Sequence, residues 1–209
     1  MIIEFRSKTG KKINIYGDGC FLFALYPGEI KEYNLEDGGE LEAGLEEVIL
    51  QETVLPRAKR RLMNILIKGD RSEAELRRSL KLNAYDDATI DKAIAYVDSY
   101  HYINETRAAE SFIRAHISDA SEKEIRYKLE QKGYNEDAVD TAYELVLADN
   151  ENAELNAAVR LLGKKLGNQF DFEMEDASEK LEKAMLYLQR KGFSYGTIKT
   201  AAANLKSDS

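Results

Sequence analysis

A six-residue pattern returns three times along this chain and dictates a repeat architecture. Leu80–Lys81–Leu82–Asn83–Ala84–Tyr85 recurs as Leu129–Glu130–Gln131–Lys132–Gly133–Tyr134, and again as Leu188–Gln189–Arg190–Lys191–Gly192–Phe193. A short polar residue follows each aromatic: Asp86, Asn135 and Ser194. A β-branched residue stands five positions after it: Ile90, Val139 and Ile198. Further apolar positions follow at +4 and +7 (Ile94 and Val97, Tyr143 and Val146, Ala202 and Leu205), which is helical spacing. Such an array presents an extended surface and seldom builds one catalytic pocket.

Each repeat is expected to hold three helices. The first carries Leu62, Ile65 and Leu66 in repeat one, Ala108, Phe112 and Ala115 in repeat two, and Leu155, Val159 and Leu162 in repeat three. The second opens on Ser72 with Glu75, and on Ser121 with Glu124. In this capping pair the hydroxyl accepts from an orphan N–H and the carboxylate reaches back. Asp176 and Glu179 are the expected third copy. Asp86, Asn135 and Ser194 are expected N-caps of the third helix, and Gly133 and Gly192 stop the second in left-handed geometry. The repeat spacing grows from 49 to 59 residues, and the extra ten fall near Gly167 to Glu175 as an exposed loop.

The first quarter of the chain reads differently. Ile2 to Phe5, Lys12 to Tyr16 and Cys20 to Tyr26 are strand-like, and Gly17–Asp18–Gly19 is a hairpin turn. Ile30 to Tyr33 is expected to add a fourth strand, followed by a helix from Glu40 to Thr53, and Pro56 to break the chain. The fold class is therefore mainly α: three tandem three-helix repeats in an elongated array, preceded by a small antiparallel β-region and one helix. The expected divisions are 1–55 for the β-rich region, then 56–104, 105–150 and 151–209 for the repeats.

No run approaches the ~18 apolar residues of a membrane span, and the first residues lack the features of a secretory signal. The single cysteine, Cys20, can form no internal disulfide. A cytoplasmic monomer is expected, without cofactor. No catalytic constellation emerges. His101 and His116 have no ligand at metal spacing, Cys20 has no oriented base, and the glycine pairs lack the pattern of a phosphate loop.

Charge narrows the interaction surface. The net charge is −8, yet residues 56–104 hold 10 basic and 7 acidic side chains. Arg57, Lys59, Arg60 and Arg61 cluster there, with 57, 60 and 61 on one helical face away from Leu62, Ile65 and Leu66. Arg71, Arg77 and Arg78 follow. Arg126, Lys128 and Lys132 form a smaller set in repeat two, and Lys164, Lys165, Arg190 and Lys191 lie in repeat three. Such side chains suit acidic protein surface or nucleic-acid phosphates. They also suit a solvated face paired with acids. Tyr85, Tyr134 and Phe193, fixed between two helices, are expected to pack in the core.

Ser-Glu-x-Glu-[Leu/Ile]-Arg-x-x-Leu followed by Lys-Gly-Tyr and a capped helix resembles the RecX family, modulators of the bacterial RecA recombinase. Ser121 to Leu129 with Gly133–Tyr134 carries the likeness best, joined by Gln189 to Tyr195 and by Tyr102–Ile103–Asn104–Glu105 before Arg107. Glu105 stands where Asp is usual and Ala108 where an aromatic is. The resemblance covers about residues 56 to 205. It implies a non-enzymatic protein that lodges in the groove of a RecA filament on single-stranded DNA, bridges protomers and restrains recombinase, ATPase and coprotease activity. The alternative is a stand-alone, sequence-independent nucleic-acid-binding repeat protein; direct DNA binding by so acidic a chain would be weak.

Overall fold

The computed structural model describes residues 1–167 and 170–207. Three antiparallel strands, β1 (Ile3–Thr9), β2 (Lys12–Gly17) and β3 (Cys20–Leu25), form one sheet in sequence order. Turns that need positive φ join them: Gly10 (φ 62°), and Asp18 (49°) with Gly19 (80°). The inner face carries Ile3, Ile15, Phe23 and Leu25, all buried.

The expected fourth strand is instead a helix, α1 (Pro27–Glu32). Pro27 occupies its first turn, where a missing N–H costs nothing, and the Tyr26 N–H donates to Glu29 Oε2 at 2.7 Å. The residues Pro-Gly therefore start an element where the sequence reading had them end one. The next helix also begins later than expected, as α2 (Leu45–Ile49), and passes through one turn of π-helix at Leu50–Val54 into α3 (Leu55–Leu66). Pro56 does not break the chain. The wider π turn just before it relieves the clash that a proline ring makes with the preceding turn.

The remaining helices are α4 (Glu73–Lys81), α5 (Asp87–Asp98), α6 (Glu105–His116), α7 (Glu122–Lys132), α8 (Glu136–Ala148), α9 (Ala153–Leu166), α10 (Ala177–Arg190) and α11 (Tyr195–Ser207). They group as three repeats, α3–α5, α6–α8 and α9–α11, and in each the first helix packs most extensively on the third. The caps explain the boundaries. Glu75 N–H donates to Ser72 Oγ and Glu124 N–H to Ser121 Oγ, both at 3.1 Å. Asp86, Asn135 and Ser194 accept from Thr89, Asp137 and Thr197. Gly133 (φ 79°) and Gly192 (φ 95°) end α7 and α10 in left-handed geometry, and Ala84 takes the same conformation (φ 54°) at a steric cost that a glycine avoids. Asp176 departs from the pattern: its side chain caps nothing and pairs with Lys180 Nζ at 2.8 Å. Of the expected loop, residues 168 and 169 lie outside the described residues, and 170–176 are non-helical and mostly exposed.

The chain divides into two compact units, Met1–Asn104 and Glu105–Ser209. In the first, a single core runs from the inner face of the sheet through Ile49, Val54 and Leu62 to Leu80, Tyr85, Ile90 and Val97. The β-region and repeat one are thus one hydrophobic body. In the second unit, repeat two packs around Ile113, Ile125, Leu129, Val139, Tyr143 and Val146, and repeat three around Leu162, Leu188, Phe193 and Ile198. Ile113, with Ala108 and Ala109, faces the core of α6, whereas Ala115 is exposed and Phe112 only half-buried. The register of that helix is shifted from the expected one, because the β-branched residue claims the interior. Tyr134 is half-buried, unlike its counterparts Tyr85 and Phe193, which are 6% and 3% exposed.

Candidate functional site

The basic face of α3 does not act as one surface. Arg57 turns inward: Nη1 lies 2.6 Å from Glu29 Oε2, Nη2 donates to the Ala24 carbonyl at 2.5 Å, and the guanidinium sits over Tyr26 and Tyr85. It joins helix α3 to β3 and α1. Lys59 leaves on another side of the helix, its Nζ 4.3 Å from the centre of the Tyr96 ring. Tyr96 packs edge-on against Tyr100, which stacks on Tyr102 at 5.6 Å, and all three are exposed.

Arg60 and Arg61 remain together, and they open onto a cleft of about 460 Å³ with Lys12, Arg57, Lys68 and Arg71. No acidic residue lines it. Arg60 and Lys68 are exposed, and Arg61 is half-buried. Arg71 Nη1 donates to the Asp70 carbonyl at 2.7 Å. Lys12 is buried at 4% exposure, where its Nζ donates to the Asn83 carbonyl and lies 4.6 Å from the centre of the Tyr85 ring. Two buried guanidinium atoms, Arg57 Nε and Arg61 Nε, have no hydrogen-bond partner.

The positive field has a consequence at Lys12. Burial, and then the charges of Arg57 and Arg61, push its ammonium down from 10.5 to about 8. The folded chain therefore sheds this proton above about pH 8, while the unfolded chain keeps it to pH 10.5. Between those values the unfolded state binds more protons, so this group's contribution to stability grows with pH. Measured by urea unfolding, the stability of the natural chain relative to Lys12→Met should climb by up to about 3 kcal/mol from pH 8 to 10.5. A difference that stays flat across the window would mean an ordinary lysine.

The other predicted cations are largely engaged. Arg77 contacts Glu73 and Asp91, each at 2.6 Å, and Arg126 repeats that brace with Glu122 at 2.7 Å and Asp140 at 2.5 Å. Hydrogen bonds to these carboxylates raise the Arg77 pKa; at Arg126 burial acts downward, and the paired acids outweigh it. The two triads are 49 residues apart, so they belong to the repeat itself and tie the second helix to the third. Repeat three has Leu181, Met185 and Lys199 at the corresponding places, and no such brace.

Lys128 and Lys191 both meet Glu124, at 2.8 and 3.2 Å. Burial pushes the Glu124 carboxyl up, but the two lysines together hold it below its ordinary value. Lys191 thereby joins repeats two and three, where Ser121 Oγ also donates to the Lys191 carbonyl at 2.6 Å. A Cβ at Gly192 would stand 2.8 Å from that hydroxyl, so only glycine fits this approach. Lys132 lies over the Phe112 ring, Lys165 over Tyr187, and Arg78 and Arg190 are exposed. A second cleft of about 700 Å³, lined among others by Glu122, Glu130, Glu136, Glu154 and Tyr134, lies beside this joint. Burial raises the Glu154 carboxyl there. The histidines make local contacts: His116 Nδ1 bonds the Phe112 carbonyl at 2.8 Å, and His101 sits in a left-handed turn.

Lys12 and Lys68 were missed by sequence reasoning. Lys68 continues the α3 face through 57, 61 and 64 at helical spacing, a signal that was available. Lys12 had no such signal, because its neighbours in the cleft come from α3 and the turn after α4.

No family model matches the chain. Regulatory protein RecX of Clostridioides difficile (strain 630) is 26% identical over 199 residues, which cover 94% of this chain and 91% of that protein. Regulatory protein RecX of Clostridium beijerinckii is 27% identical over 192 residues, covering 92% and 88%. The chain is similar to regulatory proteins named RecX over more than nine-tenths of its length. A crystal structure of a regulatory protein RecX superposes with a TM-score of 0.62 at 22% identity, over 96% of this chain and 97% of the other. RecX from Lactobacillus salivarius gives 0.58 at 24% identity, over 72% and 96%. The likeness to RecX sequences covers 94% of the chain, and the first superposition covers 96% of it, so both take in most of the β-region as well as the repeats. Among the described residues no helix is long and apolar enough to cross a membrane, and no cluster of metal-ligating side chains occurs.

Proposed function

We propose that this protein binds the RecA recombinase filament on single-stranded DNA and restrains its recombinase, ATPase and coprotease activities. The observation that carries this reading is similarity over more than nine-tenths of the chain to proteins named as RecX regulators. In this reading the protein is a cytoplasmic monomer that works by contact, not by catalysis. Repeats generally bind along a surface made by several neighbouring units, and that suits a long polymeric target.

Of the predicted contact residues, Arg60, Arg61, Arg71 and Arg190 best suit an outside partner; Arg57, Arg77, Arg126, Lys128 and Lys191 serve chiefly inside the protein, Lys59 and Lys132 sit on aromatic rings, and Arg78 is exposed. The test is RecA ATPase on single-stranded DNA, titrated with this protein. The rate should fall as protein is added, and fall less with Arg60→Glu combined with Arg190→Glu. These two changes avoid every internal pair described above, so the fold should survive them. An ATPase rate indifferent to the natural protein would remove the reading.

A further inference from the structure

We propose that the cleft between the β-sheet and the first three-helix repeat binds a phosphate group, with Arg60, Arg61 and Lys68 as its chief ligands and the buried Lys12 beneath. This goes beyond the recombinase reading and does not depend on it.

Six cationic side chains converge on the cleft, from β2, α3 and the turn before α4, and no acid lines it. Several arginines elsewhere are matched: Arg77, Arg126 and Arg114 each hold two carboxylates. Arg57 is held by Glu29. Arg60, Arg61 and Lys68 form no ion pair among the described residues. Like charges held this close oppose one another: burial lowers the Lys12 ammonium most, and the charges of Arg57 and Arg61 lower it further. A bound anion would relieve that opposition.

The buried Nε atoms of Arg57 and Arg61 have no acceptor, so the protein itself leaves these two guanidinium groups only partly satisfied. Phosphate is favoured over carboxylate for its charge of about −1.5 to −2 and its three acceptor oxygens, which serve several donors at once. The volume of about 460 Å³, and the amides of Asn64 and Asn83 on its wall, leave room for more than one bare phosphate. The phosphate could therefore belong to a small ligand or to a nucleotide strand.

Calorimetric titration of the full chain, without recombinase, tests this at fixed ionic strength. The probes are sodium pyrophosphate, ADP and a thymidine oligonucleotide, with a polyglutamate peptide as the carboxylate control. At least one phosphate ligand should bind saturably and raise the melting temperature. The double variant Arg60→Gln, Lys68→Gln should weaken it by at least about tenfold, the scale of one lost charge-assisted contact. The double variant Lys164→Gln, Lys165→Gln, with the same change of charge, should bind as the natural chain does.

Binding of pyrophosphate or ADP would support a small-ligand source, and binding of the oligonucleotide alone a strand; either supports the site. No saturable binding by any of the three would overturn the proposal. So would equal loss in both double variants, or tighter binding of polyglutamate. Failure of RecA inhibition would leave this result untouched, and the reverse holds too.

Discussion

Phe193→Ala is expected to destabilise the protein by about 3–5 kcal/mol, the cost of emptying a large aromatic from a packed core. Tyr134→Ala should cost distinctly less, although the two occupy the same place in the repeat. Phe193 is 3% exposed, between Leu188 and Ile198 in its repeat, whereas Tyr134 is half-buried at the edge of a cleft. Urea unfolding of both variants decides the point. Equal losses would mean that the repeats pack alike, contrary to the geometry described. The sequence reading placed all three aromatics in the core, and Tyr134 is the departure.

The second large effect concerns Arg57. Its replacement by Ala should cost about 3 kcal/mol, because a mostly buried carboxylate at Glu29 and the Ala24 carbonyl both lose their donor. The Arg57 and Glu29 side chains are 17% and 22% exposed, so solvent replaces the lost partner poorly. Arg60→Ala should change stability by no more than about 0.5 kcal/mol, as surface substitutions generally do. Removing Glu29 together with Arg57 should recover part of the loss, since no charge is then left unpaired. A melting temperature unchanged in Arg57→Ala would return that residue to the surface. The expectation of a single free face at 57, 60 and 61 therefore fails at its first member. Helical spacing puts the three on one side, but that side meets the sheet at one end and open cleft at the other.

The same distinction runs through the whole chain. Local chemistry was legible in the sequence: three repeats of three helices, their serine and asparagine caps, the glycines that stop α7 and α10, and the buried leucines at 80, 129 and 188. These features depend on contacts within a few residues or on a period of 3.6, and composition carries both. Where local signals conflicted, reading failed: Pro27–Gly28 suited a turn as well as a helix start, and Pro56 suited a boundary as well as the first turn of α3. Ile113 displaced the predicted face of α6 because a one-residue change in register alters little in the pattern but decides which side chain reaches the core.

The candidate site was legible only in part. Sequence alone located the excess of positive charge after residue 55 and could not say which charges were already spent. That was decided by pairings across the fold: Glu29 with Arg57 across 28 residues, Asn83 with Lys12 across 71, and Asp91 with Arg77 through the repeat brace. Sequence by itself determined that this chain is a helical repeat protein with a small β-region. The tertiary structure decided that the β-region and repeat one share a single core, and that Arg60, Arg61 and Lys68 keep their charge unmatched. The physical reason is that burial and helix capping follow from neighbours in sequence, whereas the electrostatic state of an arginine follows from whichever carboxylate the finished fold brings beside it.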